Sequence, residues 1–311
     1  MASLTVGILV SRDLQRSSVD TSGCDLASGV AVAEALCELG HRPRMIYVDE
    51  NLDLALRAGP LNAAFVCLHG VLGTQGGVQA ALELRGIPVY GPESASAALA
   101  FDKSRARKAL AFHNLPVPTS VDLIAGQDAD ARALGMLGWP CIIKPRRGAH
   151  GIGVTRVESP REVYAAIDHA MAIDESIIVE RSMVGDEVQV ILIDHEVLGM
   201  ASISRSRGTF AYPAALDRGR QDSIARLATR AAEVLGLSDA PCRVDLLVDP
   251  EGNEYILEVE PLPPMHPDGT LQRMLRAEGI PFTDFIGAAL DSLQLATSDI
   301  AQPSFSPLAL H

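Results

Sequence analysis

Apolar positions along the chain fall into two rhythms. Residues 4–10 (LTVGILV) form an unbroken, β-branched run, the pattern of a strand buried on both faces of a parallel sheet. Residues 27–39 (ASGVAVAEALCEL) then repeat every three to four positions and stop at Gly40, which predicts a helix with a glycine cap. Apolar runs at 44–48 and 63–68 predict two more strands. Strand–helix–strand order of this kind predicts a doubly wound parallel α/β sheet, with ligands at the carboxyl ends of its strands. The third strand leads into His69-Gly70 and a glycine-rich turn with Gly73, Gly76 and Gly77.

Beyond residue 94 the pattern changes. One helical stretch covers 94–113 and is closed by Leu115-Pro116-Val117-Pro118. Strands follow at 141–145, 153–157 and 176–181, with a helix at 160–172. A third block has strands at 186–193 and 197–203, a helix at 219–235, and strands at 243–248 and 255–260. The expected organisation is therefore an N-terminal α/β unit over 1–95, two α+β units over 96–183 and 184–295, and a tail over 296–311.

Composition narrows the function. The 311 residues are 48% hydrophobic, enough for one large domain or two to three small ones. A net charge of −13 excludes nucleic acid as the main partner, because phosphate backbones need a basic surface. No apolar run reaches membrane-spanning length and no signal-peptide pattern opens the chain, so a soluble, cytoplasmic protein is expected. The five cysteines show no CxxC or metal-type spacing and read as reduced, mostly buried thiols.

Two segments carry candidate chemistry. In CRVDLLVDPEGNEYILEVEPLPP (242–264), Asp249-Pro250-Glu251-Gly252-Asn253 is a turn signal between two strands. If Asp249 pairs with Glu254, then Asp245 faces Glu258 and Arg243 faces Glu260, all on one side of the hairpin. Three carboxylates and an arginine there suit a divalent cation and a polyphosphate. The alternative is a solvated face of cross-strand ion pairs. The second segment is CIIKPRRGAHGIGV (141–154), where Lys144 ends an apolar strand before Gly148, Gly151 and Gly153. Such a loop suits phosphate, with backbone N–H groups closing over it, although it lacks the Walker pattern. Arg146 and Arg147 beside it add positive charge.

With Phe101-Asp102-Lys103, IVERSMVGDEVQV (178–190) and LHGVLGTQGGVQAALELRGIPVYG (68–91), these segments resemble the D-alanine–D-alanine ligase branch of the ATP-grasp superfamily, in its order and spacing. The resemblance implies ATP held between two sheets, Mg2+ or Mn2+ with two ions bound, and a homodimer acting on a small carboxylate and an amine. It implies that Lys103 and Lys144 hold the phosphates, under a loop containing Gly148 and Gly151. Glu180, Arg181 and Met183 would surround the adenine, and Glu187 the ribose. Asp245, Glu258 and Glu260 would be the metal ligands, and Arg243 would bind the reacting carboxylate and its oxyanion. His69 would lie beside the substrate.

The ATP half follows the family better than the substrate half. Gly23 stands where the family has a glutamate for the substrate ammonium, leaving Asp20 or Asp25 as replacements or helix caps. The family's acidic pair is Thr74-Gln75, its flap serine is His150, and its ω-loop is mostly absent around Thr209–Ala211 and Tyr212-Pro213. A metal-site asparagine is Glu260, which either binds metal or pairs with Arg243. An oxyanion-hole glycine is Pro264, which has no N–H, so His150 or His266 would have to donate instead. The expected function is an ATP-dependent carboxylate–amine ligase for an amino acid or small acid other than the D-alanine pair. Its alternatives are an authentic D-alanine–D-alanine ligase and an ATP-binding protein that no longer ligates.

Overall fold

A computed structural model describes residues 3–11, 22–69, 75–125, 135, 137–148, 151–204 and 209–299. Its first sheet is parallel. β1 (Thr5–Ser11) lies between β2 (Arg42–Val48) and β3 (Ala63–Val66), and β4 (Val89–Tyr90) pairs with β3 at the edge. The unbroken apolar run of β1 follows from this central place: Ile8 and Val10 enter the core under the first helix, while Leu9 enters the core on the other side. That helix, α1 (Ser22–Glu38), begins earlier than its apolar rhythm. It ends as expected at Gly40, whose φ of +81° lets His41 N–H reach the Leu36 carbonyl at 2.9 Å. Two short helices, α2 (Leu52–Arg57) and α3 (Gly77–Glu83), also belong to this unit.

The helix expected over 94–113 is two. α4 (Ser94–Phe101) stops at Asp102, which adopts an extended conformation (φ −80°, ψ 92°) and caps α5 (Lys103–Phe112) by accepting the Arg105 N–H at 3.1 Å. The break places Lys103 at the first position of a helix.

The second sheet is antiparallel, in the order β5 (Ser120–Ile124), β8 (Ser176–Arg181), β6 (Cys141–Pro145), β7 (Thr155–Val157). α6 (Val163–Met171) covers one face, packing Val163, Ala166 and Ala170 against Cys141, Ile143, Ile177 and Val179. Strand alternation then turns Ile142, Lys144 and Glu180 to the opposite face.

The third sheet is also antiparallel: β11 (Thr209–Ala211), β10 (Glu196–Ser204), β9 (Asp186–Ile193), β12 (Cys242–Val248), β13 (Glu254–Glu260). α7 (Arg218–Val234) covers it through Ile224, Ala228 and Ala231, on Val188, Val190, Val244 and Leu246. The last helices, α8 (Thr270–Ala277) and α9 (Phe282–Asp299), return to the first sheet, where Met274, Leu275, Phe285 and Ile286 join Val6, Ile8 and Phe65. α9 runs into the segment read as a tail. Cys67, Cys141 and Cys242 are buried, whereas Cys37 on α1 is exposed, and no disulfide joins the cysteines. Among the described residues no helix is long and apolar enough to cross a membrane.

Candidate active site

The β12–β13 hairpin carries the densest set of expected ligands. Asp249 closes its turn by accepting the Asn253 N–H at 2.7 Å. Glu254 pairs with Val248 rather than with Asp249, a slip of one residue from the register expected at the turn. A β-bulge between Asp245 and Leu246, opposite Leu257, absorbs the slip, so Asp245 faces Glu258 and Arg243 faces Glu260 as expected. The bulge also lets Ile256 and Val259 both reach the α7 core while Leu257 and Glu258 both turn to the other side.

On that side lies a cavity of about 310 Å³, walled by the second and third sheets. Lys103, Lys144, Gly148, Gly151, Glu180, Arg181, Met183, Glu187, Asp245 and Glu258 all line it. Its apolar surface includes Pro118, Ile142, Val154, Leu247 and Leu257, which the sequence reading passed over. The signal was present: Ile142 and Leu247 lie two residues from Lys144 and Asp245 on the same strands, hence on the same faces. Apolar walls with a few placed charges suit a flat heterocycle carrying a polyphosphate.

The charges are closely matched. Lys144 Nζ lies 2.8 Å from Glu180 Oε1, and Arg107 binds the other oxygen of that carboxylate. Arg107 was missed, although an arginine on the apolar side of α5 demands a buried anion. Burial drives the Lys144 ammonium down in pKa, against the pull of Glu180. Lys103 Nζ donates to Glu258 Oε1 and to the Gly148 carbonyl, each at 2.6 Å. Burial would raise the Glu258 carboxyl, but Lys103 and Lys144 hold it at about 2. Arg146 and Arg147 do not line the cavity. Arg146 makes two 2.7 Å bonds to Asp102, and Arg147 binds Asp174 at 3.0 and 2.9 Å. The Arg146 carbonyl also accepts the Lys103 N–H at 3.2 Å, so this pair fastens the start of α5 to the end of β6 and sets both lysines together.

A second group lies beyond that cavity. Arg243 binds Asp245 within its own strand, at 2.7 and 3.0 Å, rather than its cross-strand neighbour Glu260. Burial raises the Glu260 carboxyl; Arg243 opposes this and Glu258 reinforces it. His69 is close enough to Glu260 and His266 to act on the protonation of both, and burial lowers the His266 imidazole. Asp25 is buried and bonded to His69. Among the described residues no three His, Cys, Asp or Glu side chains form a ready metal cage, since Asp245 and Glu258 are engaged by Arg243 and Lys103. His150, Asp20 and the 70–74 turn lie outside the described residues.

Residues 119–291 match the family described as the D-ala D-ala ligase C-terminus. The D-alanine–D-alanine ligase of Geobacter sulfurreducens is 34% identical over 284 residues, covering 87% of this chain and 89% of that one. The enzyme of the same name from Stutzerimonas stutzeri is 32% identical, covering 86% and 88%. The chain belongs to the D-alanine–D-alanine ligase family. Solved structures of low identity bear out the ATP-grasp fold. A D-alanine–D-alanine ligase from Bacillus anthracis complexed with ATP superposes at a TM-score of 0.83 with 22% identity, over 95% of this chain and 98% of that one. The VanG D-Ala:D-Ser ligase of Enterococcus faecalis superposes at 0.79 with 23% identity, over 94% and 99%.

Within this family fold, the segment read as a shortened ω-loop is tied down. β11 pairs with β10, the Tyr212 ring lies over Gly199, and its hydroxyl donates to Glu278. Arg273 stacks on Phe210 at 3.6 Å.

Proposed function

We propose that the chain is an ATP-dependent carboxylate–amine ligase that activates an α-amino acid or related small acid and joins it to an amine. The observation that carries this reading is the pairing of Arg243 and Asp245 with Glu260 and Glu258, beside Lys103 and Lys144. A carboxylate oxygen of the acid attacks the γ-phosphorus and ADP leaves. The amine then adds to the acyl carbonyl, and phosphate leaves from the tetrahedral intermediate. Lys103 and Lys144 stabilise charge on the phosphoryl group, and Arg243 stabilises the carboxylate and then the oxyanion. Glu180, Arg181 and Met183 hold the base and Glu187 the ribose, under the loop with Gly148 and Gly151.

Asp245 and Glu258, with Glu260 as a third carboxylate, suit Mg2+, which is usually bound by one or two carboxylates plus substrate phosphates. Bound there, Mg2+ or Mn2+ would neutralise charge on the phosphates, and two ions are the number this reading expects. On this reading ATP sits between the 96–183 and 184–295 units, the 1–95 unit holds the acid, and the chain acts as a cytoplasmic homodimer.

The names of the relatives make D-alanine the first acid to test, with D-alanine or D-serine as the amine. A second reading, an acid–amine pair other than two D-alanines, is favoured by the tethered Tyr212 and by Pro263 and Pro264, which offer no N–H to an oxyanion. Phosphate release measured across D-alanine, D-serine, larger amino acids and non-amino acids separates the two. Turnover confined to D-alanine pairs removes the second reading. Absence of turnover with every pair leaves a non-catalytic ATP-binding protein.

A further inference from the structure

At the carboxyl end of the first sheet, outside the ATP cavity, one buried carboxylate is committed to one histidine. Asp25, in the first turn of α1, is 1% exposed, and His69, just beyond β3, is 8% exposed. Asp25 Oδ1 takes both the backbone N–H of His69, at 2.9 Å, and its ring Nδ1, at 2.7 Å. A carboxylate accepts hydrogen bonds and donates none, so Nδ1 carries the proton. The two bonds, made to one oxygen, fix the tautomer and the rotation of the ring together. Nε2 is left as the atom available to a ligand. Among the described residues, Glu260 and His266 are ionisable groups near His69 on other elements, and Cys67 lies near Asp25. Glu260 is the cross-strand partner of Arg243, so the histidine stands beside the residues assigned above to the reacting carboxylate.

We propose that Asp25 is a positioning residue: it holds His69 as the Nδ1–H tautomer with Nε2 free for the acid substrate, and does not itself bind the substrate ammonium. The inference rests on the ligase reading. Its physical basis is cost: a carboxylate this deeply buried is expensive unless it is hydrogen-bonded, and among the described residues both of its bonds go to His69, whose ring they orient.

The test uses the full chain, Asp25→Asn and Asp25→Ala, with 15N-labelled histidine and steady-state ligation at saturating ATP. In the wild type, His69 Nδ1 reads as protonated from neutral to alkaline pH. Asp25→Asn keeps an acceptor oxygen, so it retains the tautomer and most of the wild-type kcat/KM for the acid. Asp25→Ala relaxes to the Nε2–H form preferred by free histidine. Its kcat/KM for the acid falls on the order of 100-fold, the scale of a misplaced catalytic group, while KM for ATP holds. A folded Asp25→Ala that keeps the Nδ1–H tautomer, or ligates at the wild-type rate, overturns the proposal. So does an Asp25→Asn that loses the tautomer, or equal losses of ATP affinity and thermal stability in both variants, which mark a mere brace. If the wild type joins no acid to any amine, the ligase reading fails instead, and the tautomer measurement alone decides whether Asp25 sets His69.

Discussion

Lys144, Glu180 and Arg107 make a buried triad of two cations and one anion, with side chains 11%, 7% and 8% exposed. Replacing one member or another separates what holds the fold from what holds the nucleotide. Glu180→Gln removes the carboxylate that both buried cations bind, leaving Lys144 only the pull of Glu258, which Lys103 already engages. Breaking a buried pair in this way costs about 3–5 kcal/mol. Lys144→Met keeps the volume and leaves Glu180 paired with Arg107, a neutral couple, so the fold should lose well under that amount. On the proposed reading the same substitution also removes one charged hydrogen bond to phosphate, worth about 1.5–3 kcal/mol, or roughly a 10- to 100-fold loss of ATP affinity. Urea unfolding gives the first quantity, and calorimetric titration with a non-hydrolysable ATP analogue gives the second. If Lys144→Met unfolds as easily as Glu180→Gln and binds the analogue as the wild type does, the lysine is only a structural counter-ion and the argument fails.

The other predictions concern the helix break at Asp102, the proposed metal ligand Glu260 and the glycine loop. Burial raises Asp102, but its bonds to Arg146 and to the Arg105 N–H hold its carboxyl below the ordinary 3.8, so the pair stabilises the fold above that pH and stops doing so as pH falls below it. The stability gap between wild type and Asp102→Asn should therefore be full at neutral pH and close in acid; a gap independent of pH contradicts the assignment. Glu260→Gln should raise the Mg2+ concentration needed for half-maximal turnover several-fold, whereas a shift in the KM of the acid alone would place Glu260 with Arg243. At Gly153, φ is +71° and an added Cβ would stand 2.8 Å from Pro145 Cγ, so Gly153→Ala should displace the loop and lower kcat/KM for ATP. A Gly153→Ala variant with unchanged kcat/KM would remove the loop from the site.

Much of this arrangement is readable from residue order. The central place of β1 follows from an apolar run without alternation, and the Lys144 strand from CIIKP ending at a proline. The hairpin was legible where side-chain parity decided it and misread where the turn did, because a bulge at Leu257 is invisible to a count that assumes two residues per repeat. The helix break at Asp102 was missed because Phe101 and Ser104 both suit a continuous helix, while the competing signal, an aspartate capping Arg105, looks like any exposed charge. Arg146 and Arg147 were read only as positive charge beside the glycine loop, because local charge does not reveal a partner; theirs, Asp102 and Asp174, come from distant positions in the chain. The His69 cluster was accessible only in part, since Asp25 reaches it across 44 residues of sequence.

On the proposed reading this cavity transfers the γ-phosphoryl group of ATP to a carboxylate, and an amine captures the product. This is tested most directly by following ADP, phosphate and amide product together in one reaction, with D-alanine as the first acid and a panel of amines. The account predicts that all three appear in equal amounts, only when acid, amine and Mg2+ are present, and that Lys144→Met suppresses all three alike. ATP binding without phosphate release for any acid–amine pair, or phosphate release that needs no acid, would contradict it.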